Sequence, residues 1–327
     1  MRKINEDIKA NEYKKVYLLY GSEDYLKKQY KQKLRNAICG DDTMNYSYYE
    51  GKDCNAVEIR GMCETLPFFA DRRLVLVENS GFFKSANEVM NEYIGSVPET
   101  TCLVFVECDV DKRSKLFKQV KDIGYVCEMS EQNQAALEQW IVGILGQNGM
   151  KITKNTVEKF LNDVGTDMEN ITKELDKVIS YAWGRDVITD KDIDAVCSVQ
   201  ISSKIFDMID AMSNKNRAKA LELYQDMMSL KEPPMRILFM LARQFNIMLQ
   251  VKELLDRGVA SSDIASKVGI QPFIVGKITR QLGMKNGFSS TVLTKAMRDC
   301  VEIECDIKNG RMDDRAGVEM ILIKYSA

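Results

Sequence analysis

The chain has 327 residues, 45% of them hydrophobic and 29% charged, with 46 Lys and Arg against 48 Asp and Glu for a formal net charge of −2. This composition excludes a disordered or collagen-like chain, the longest apolar runs fall far short of the roughly 20 residues a membrane span needs, and the length suggests two or three domains. There is no histidine, which removes Ser–His–Asp and Cys–His catalysis, His general bases and His-ligated zinc together.

The amino-terminal Met1-Arg2-Lys3-Ile4-Asn5-Glu6 carries no apolar h-region, so no secretory leader is expected and the setting reads as cytoplasmic. Val16–Tyr20 predicts a short buried strand ending at Gly21, and Tyr25, Leu26, Tyr30, Leu34 and Ile38 then fall roughly on one helix face. Tyr46–Glu50 suits a second, polar-edged strand. A helix over Ala56–Thr65 leads through Leu66-Pro67-Phe68-Phe69 into a strand at Arg73–Glu78. A helix around Ala86–Ile94, a strand at Leu103–Glu107, a helix near Lys112–Lys121 and a last strand at Gly124–Met129 complete the segment. Buried strands interleaved with helices predict a parallel α/β sheet covered on both faces.

Beyond about Ser130 the pattern predicts helices alone: Ala135–Gly146, Thr156–Val164, Glu169–Tyr181 and Asp190–Val199, the last opened by Thr189-Asp190-Lys191-Asp192. Pro233 and Pro234 open a long helix through Leu238, Leu241, Phe245, Met248 and Leu255, with Gly258 placed to close it. Ser289 and Ser290 cap another, holding Leu293, Met297, Cys300 and Ile307 and ending at Asn309-Gly310. The charge is −6 over residues 1–200 and +4 over residues 201–327, too small a basic excess to mark a nucleic-acid surface by itself. The nine cysteines are odd in number and never spaced Cys-x-x-Cys, so reduced, partly buried thiols are expected.

Three segments invite a functional reading. Gly21-Ser22-Glu23-Asp24-Tyr25-Leu26-Lys27-Lys28 stands where a P-loop would, but Leu26 replaces its second glycine, Lys28 its hydroxyl, and Glu23 and Asp24 set negative charge where amides should cradle phosphate. An α/β module of NTPase shape that binds no nucleotide fits better than a nucleotide-dependent enzyme. In Leu66-Pro67-Phe68-Phe69-Ala70-Asp71-Arg72-Arg73, two adjacent aromatics cannot both face inward from a regular strand. They suit either a hydrophobic plug under the following strand or a partner-binding tip with aromatic anchors. Ser262–Ile270 followed by Phe273–Leu282 has helix-turn-helix spacing, so a DNA-binding regulator using residues 262–282 is the alternative reading. Its second helix, starting Gln271-Pro272-Phe273-Ile274-Val275, is too apolar to read base edges, and packing within a helical bundle accounts for it better.

The succession of Val16–Leu26, Leu66–Val75, Asp111–Leu116, Ile205–Ala211, Leu241–Phe245 with Leu249–Lys252, and Asp306–Gly310 resembles the delta subunit of the bacterial DNA polymerase III clamp loader, in its Gram-positive form. The resemblance runs along nearly the whole chain in the expected order. It implies an AAA+-like α/β domain over 1–130 whose nucleotide site is degenerate, a small all-α lid domain over 131–203 and an all-α collar domain over 204–327. It further implies a subunit that binds the beta sliding clamp and opens it for loading onto primed DNA during DNA replication. Phe68 and Phe69, flanked by Leu66, would enter a pocket on the clamp; the family's central pair is often Leu-Phe, and Phe-Phe keeps its apolar character. The collar would associate with the tau/gamma and delta-prime subunits, with ATP hydrolysed there. No catalysis and no cofactor are then expected of this chain, a replisome-associated part of a DNA-directed DNA polymerase holoenzyme.

Overall fold

The structure, a computed structural model, describes residues 1–51, 54–270, 272–283 and 287–326. It divides into two compact units, one ending at Gln132 and one beginning at Asn133. Among the described residues no helix is long and apolar enough to cross a membrane.

The first unit runs α1 (Arg2–Ala10), β1 (Val16–Tyr20), α2 (Asp24–Ile38), β2 (Tyr46–Glu50), α3 (Ala56–Glu64), β3 (Arg73–Glu78), α4 (Glu88–Tyr93), β4 (Thr101–Glu107), α5 (Lys115–Ile123) and β5 (Tyr125–Glu128). Its five strands form one parallel sheet in the order β2-β3-β4-β1-β5. β1 and β4 are buried throughout and β3 all but its last residue, as expected of parallel strands covered on both faces. Side chains alternate across the pleat. Val16, Leu18, Val75, Val77, Leu103 and Phe105 form a core with Ile59 and Cys63 of α3, Met90 and Tyr93 of α4, and Leu116 and Val120 of α5. On the opposite face Tyr17 donates its hydroxyl to Asp7 Oδ2 of α1 at 2.8 Å, and α2 buries Leu26, Tyr30 and Leu34.

Local chemistry sets the helix starts. Asn55, Asn87 and Ser114 each accept a hydrogen bond from a first-turn amide of α3, α4 and α5. Ser114 explains why α5 begins at Lys115 rather than near Lys112: Asp111 takes the Arg113 N–H at 2.9 Å in a preceding turn. The helix α1 was not anticipated: it is short and mostly polar, and it buries only Ile4 and Asp7.

The second unit runs α6 (Gln134–Gln147), β6 (Lys151–Ile152), α7 (Lys154–Val164), α8 (Met168–Tyr181), β7 (Val187–Ile188), α9 (Asp190–Val196), α10 (Ile201–Ser213), α11 (Arg217–Ser229), α12 (Pro234–Asp256), α13 (Ser261–Val268), α14 (Pro272–Leu282), α15 (Ser290–Lys308) and α16 (Asp314–Tyr325). β6 and β7 pair in parallel, a correction to the expectation of helices alone. α9 stops at Val196 instead of Val199. There the chain turns extended at Cys197 and Ser198 donates its N–H to Glu174 Oε2 on α8 at 3.1 Å. α12 and α15 run through a core that extends from Ile205 to Tyr325, with Phe245 against Phe288 and Tyr325 at ring separations of 6.0 and 6.2 Å. Gly258, at φ 74° just past α12, closes it as the sequence suggests.

Candidate functional site

The α3–β3 loop lies at the amino ends of the strands. α3 stops at Glu64, Thr65 turns extended, and Pro67 keeps Leu66 out of the helical region. The loop then displays its apolar side chains: Leu66 is 75% exposed, Phe68 54% and Phe69 95%. Neither ring is a plug beneath β3. The two rings touch only edge to face, centroids 4.6 Å apart at 80°, and Phe69 sits at φ 49°, a region bulky residues rarely adopt.

Two neighbours fix the backbone of this loop. Phe68 donates its N–H to Asn45 Oδ1 at 2.6 Å and accepts at its carbonyl from Asn45 Nδ2 at 2.8 Å. Arg73, buried at the start of β3, directs Nη2 to the Leu66 carbonyl at 3.5 Å. Exposed rings on a backbone tied from below make an apolar projection able to insert into a complementary pocket, the geometry of an interface anchor. Leu66, Phe68 and Phe69 are thus brought together as the sequence grouping suggests. Asn45 was not anticipated: a lone Asn ahead of a polar-edged strand carries no pattern, and its partner lies 23 residues away.

At the carboxyl ends of the strands, the β1–α2 turn has only Gly21, Ser22 and Glu23 between strand and helix. Gly21 adopts φ 133°, and a Cβ there would stand 2.2 Å from the Met129 carbonyl oxygen. The Glu23 carboxylate accepts the Tyr25 N–H at 3.2 Å, so a side chain caps the helix start where a phosphate would bind. Lys27 is buried, with Nζ 2.8 Å from Asp24 Oδ1 and 3.6 Å from Cys108 Sγ. The acids closing the neighbouring strands are also engaged. Glu78 pairs with Lys31 at 2.5 Å and accepts the Tyr48 hydroxyl at 3.0 Å. Glu107 accepts from Ser80 Oγ at 2.5 Å and from the Ser80 and Gly81 amides at 3.1 and 3.4 Å. Burial pushes the Glu107 carboxyl up, against the pull of those donors. No group of three or more Cys, Asp or Glu able to hold a metal occurs among the described residues.

The helix-turn-helix spacing corresponds to α13 and α14, with Gly269 at φ 71° between them. α14 turns Val275 and Ile278 into the core, and Gln281 Nε2 donates to Asp210 Oδ1 at 2.6 Å. Gln271 lies outside the described residues. In the first turns that follow, the one basic side chain is Lys277, whose ammonium stands 4.6 Å above the Phe206 ring. This face packs a bundle and offers little to a base edge.

Comparison with known proteins now bears on both units. The family described as DNA polymerase III, delta subunit matches residues 17–130, and its C-terminal domain, described as DNA polymerase III delta subunit, C-terminal domain, matches residues 202–325. Together these stretches take in more than two thirds of the chain. The chain belongs to the DNA polymerase III delta subunit family. Over 332 residues it is 24% identical to DNA polymerase III subunit delta of Bacillus subtilis (strain 168), covering 98% of this chain and 95% of that one. Over 270 residues it is 22% identical to the probable DNA polymerase III subunit delta of Aquifex aeolicus (strain VF5), covering 79% and 76%. The Bacillus subtilis DNA clamp loader delta protein superposes with a TM-score of 0.75 at 24% identity over 99% of each chain, so the fold is that of the clamp loader delta protein. The α13–α14 pair falls inside the matched C-terminal domain, which leaves a separate regulator with nothing in its favour. As a family member the chain is a component of the clamp loader in DNA replication.

Proposed function

We propose that this chain binds the beta sliding clamp through Phe68 and Phe69, with Leu66 beside them, and favours the open ring so that it can be loaded onto primed DNA. The observation that carries the reading is the exposed aromatic pair on a backbone fixed from beneath: Phe69 is 95% exposed, and exposed anchors of this kind serve interfaces. A ligand that prefers the open conformer shifts the ring toward it by its differential affinity for that form. The unit from residue 1 to about 130 acts as the AAA+-like clamp-binding part. Residues 131–203 act as a lid, and residues 204–327 as a collar that assembles with tau/gamma and delta-prime. The occupied β1–α2 turn supports ATP hydrolysis on those partners rather than here. The test is a Phe68→Ala, Phe69→Ala variant run with purified beta clamp on size exclusion, beside its melting curve. Lost co-elution with an unchanged melting temperature supports the reading; retained co-elution sinks it.

A further inference from the structure

We infer that Asn45 is a positioning residue that holds the aromatic tip in its binding shape, an inference that rests on the clamp-binding reading of Phe68 and Phe69. Asn45 stands immediately before β2 and is fully buried. Its side chain grips both peptide groups of Phe68, accepting from the N–H at 2.6 Å and donating to the carbonyl at 2.8 Å. This is the pairing a neighbouring strand would offer, supplied by one amide. The second amide hydrogen goes to Asp42 Oδ2 at 2.6 Å. The Asn45 backbone is committed as well: its N–H donates to Asp42 Oδ1 at 3.3 Å and its carbonyl accepts the Leu74 N–H of β3 at 2.8 Å. Asp42 in turn accepts the Met44 N–H at 2.8 Å, so the brace is itself held in a turn.

The tip needs such a brace because it cannot hold itself. Phe69 is almost wholly in solvent, its ring meets that of Phe68 edge to face, and its left-handed φ of 49° persists for a bulky residue only where the surroundings impose it. Among the described residues the Asn45 amide is the side chain that bonds the backbone of Phe68, the peptide leading into that position. A projection fixed before encounter spares the interface the cost of ordering it on binding. The residue type follows from the task. Only a carboxamide of this length offers one acceptor and two donors from a single buried atom group. An isosteric carboxylate could take the Phe68 N–H but could give nothing to its carbonyl, and it would face Asp42.

The test uses the full-length chain and purified beta clamp. Asn45→Ala should weaken clamp affinity by roughly tenfold to a hundredfold at a temperature where the variant is folded, and Asn45→Asp should weaken it in the same direction. Combined with Phe69→Ala, the losses should fall clearly short of multiplying, because both changes act on one tip. In a Phe69→Trp background, Asn45→Ala should also lower the steady-state fluorescence anisotropy of the new indole without clamp present, a readout that general destabilisation of a still-folded protein does not move. Asn45→Asp carries the same measurements if Asn45→Ala does not fold. Full affinity in a folded Asn45 variant, or losses that multiply with Phe69→Ala, overturns the inference while leaving clamp binding by the rings in place. Clamp binding that survives loss of both rings overturns the reading beneath it instead.

Discussion

A phenylalanine ring left 95% in water at a left-handed backbone position gains nothing for the isolated fold, and that sets the size of the expected mutational effects. Each ring can bury about 150–250 Å² in a partner, worth roughly 4–6 kcal/mol of transfer free energy at about 25 cal/mol per Å². Truncated interface anchors usually show less, about 2–4 kcal/mol apiece. Replacing Phe68 and Phe69 together by Ala should therefore weaken clamp binding by at least about a thousandfold. Stability should move by only about 0.5 kcal/mol, as for other surface substitutions, where two core phenylalanines would cost about 3–5 kcal/mol each. Phe69→Gly sharpens the contrast. Glycine adopts φ 49° without strain, so this variant should melt no lower than the parent while losing clamp affinity; a marked fall in its melting temperature would show that the ring holds the loop together.

At the scale of single elements, the β1–α2 turn and α9 carry the next expectations. With Glu23 capping α2 and Lys27 buried against Asp24, an equilibrium titration with labelled ATP should show no micromolar, magnesium-dependent binding to the isolated chain. Lys27→Ala should leave clamp loading by the assembled complex nearly unchanged, and a large loss in a normally assembled variant would return the turn to the status of a nucleotide site. In α9, Asp192 reaches back to the Thr189 N–H and hydroxyl, both at 2.8 Å, and to Arg185 Nη1 at 2.6 Å. Burial works against its charge, but these donors outweigh it and hold the carboxyl below its ordinary range. A lowered folded-state pKa gives stability that is present above the unfolded value, about 3.9, and is lost as pH falls through the folded one. Asp192→Asn should thus cost roughly 1–3 kcal/mol at neutral pH, and the gap to the parent should close in denaturant melts as the pH is taken below the unfolded value. A gap of constant size across that range would mean that the carboxylate charge contributes nothing. These elements also show what a sequence can disclose. β1, β3 and β4 are legible because a strand buried on both faces is a continuous apolar run, and the tip is legible because Pro67 and two adjacent rings fit no regular element. α1 hides because only Ile4 and Asp7 face inward, and β6 and β7 hide because two residues hold no period. The end of α9 and the grip of Asn45 on Phe68 are set by partners 24 and 23 residues away, a distance at which local pattern carries no information.

Over the whole molecule, the division at Gln132 and Asn133 separates two kinds of surface as well as two cores. The first unit has its own sheet, its own apolar core and the aromatic tip, and at 132 residues it is large enough to bury a self-sufficient core. The second has a core extending from Ile205 to Tyr325, within the stretch that matches the family's C-terminal domain. If clamp binding belongs to the tip and assembly to the helical bundle, the two activities should part with the chain. A fragment of residues 1–132 should capture beta clamp in a pull-down with an affinity close to that of the full chain, since the tip and the Asn45 and Arg73 contacts beneath it all belong to the first unit. A fragment of residues 133–327 should assemble with the tau/gamma and delta-prime subunits and capture no clamp. Introducing the Phe68→Ala, Phe69→Ala pair into the first fragment should remove its capture, which ties the retained activity to the tip rather than to exposed core at the cut. Clamp captured only by the helical fragment would reverse the assignment and move the clamp site away from the α3–β3 loop altogether.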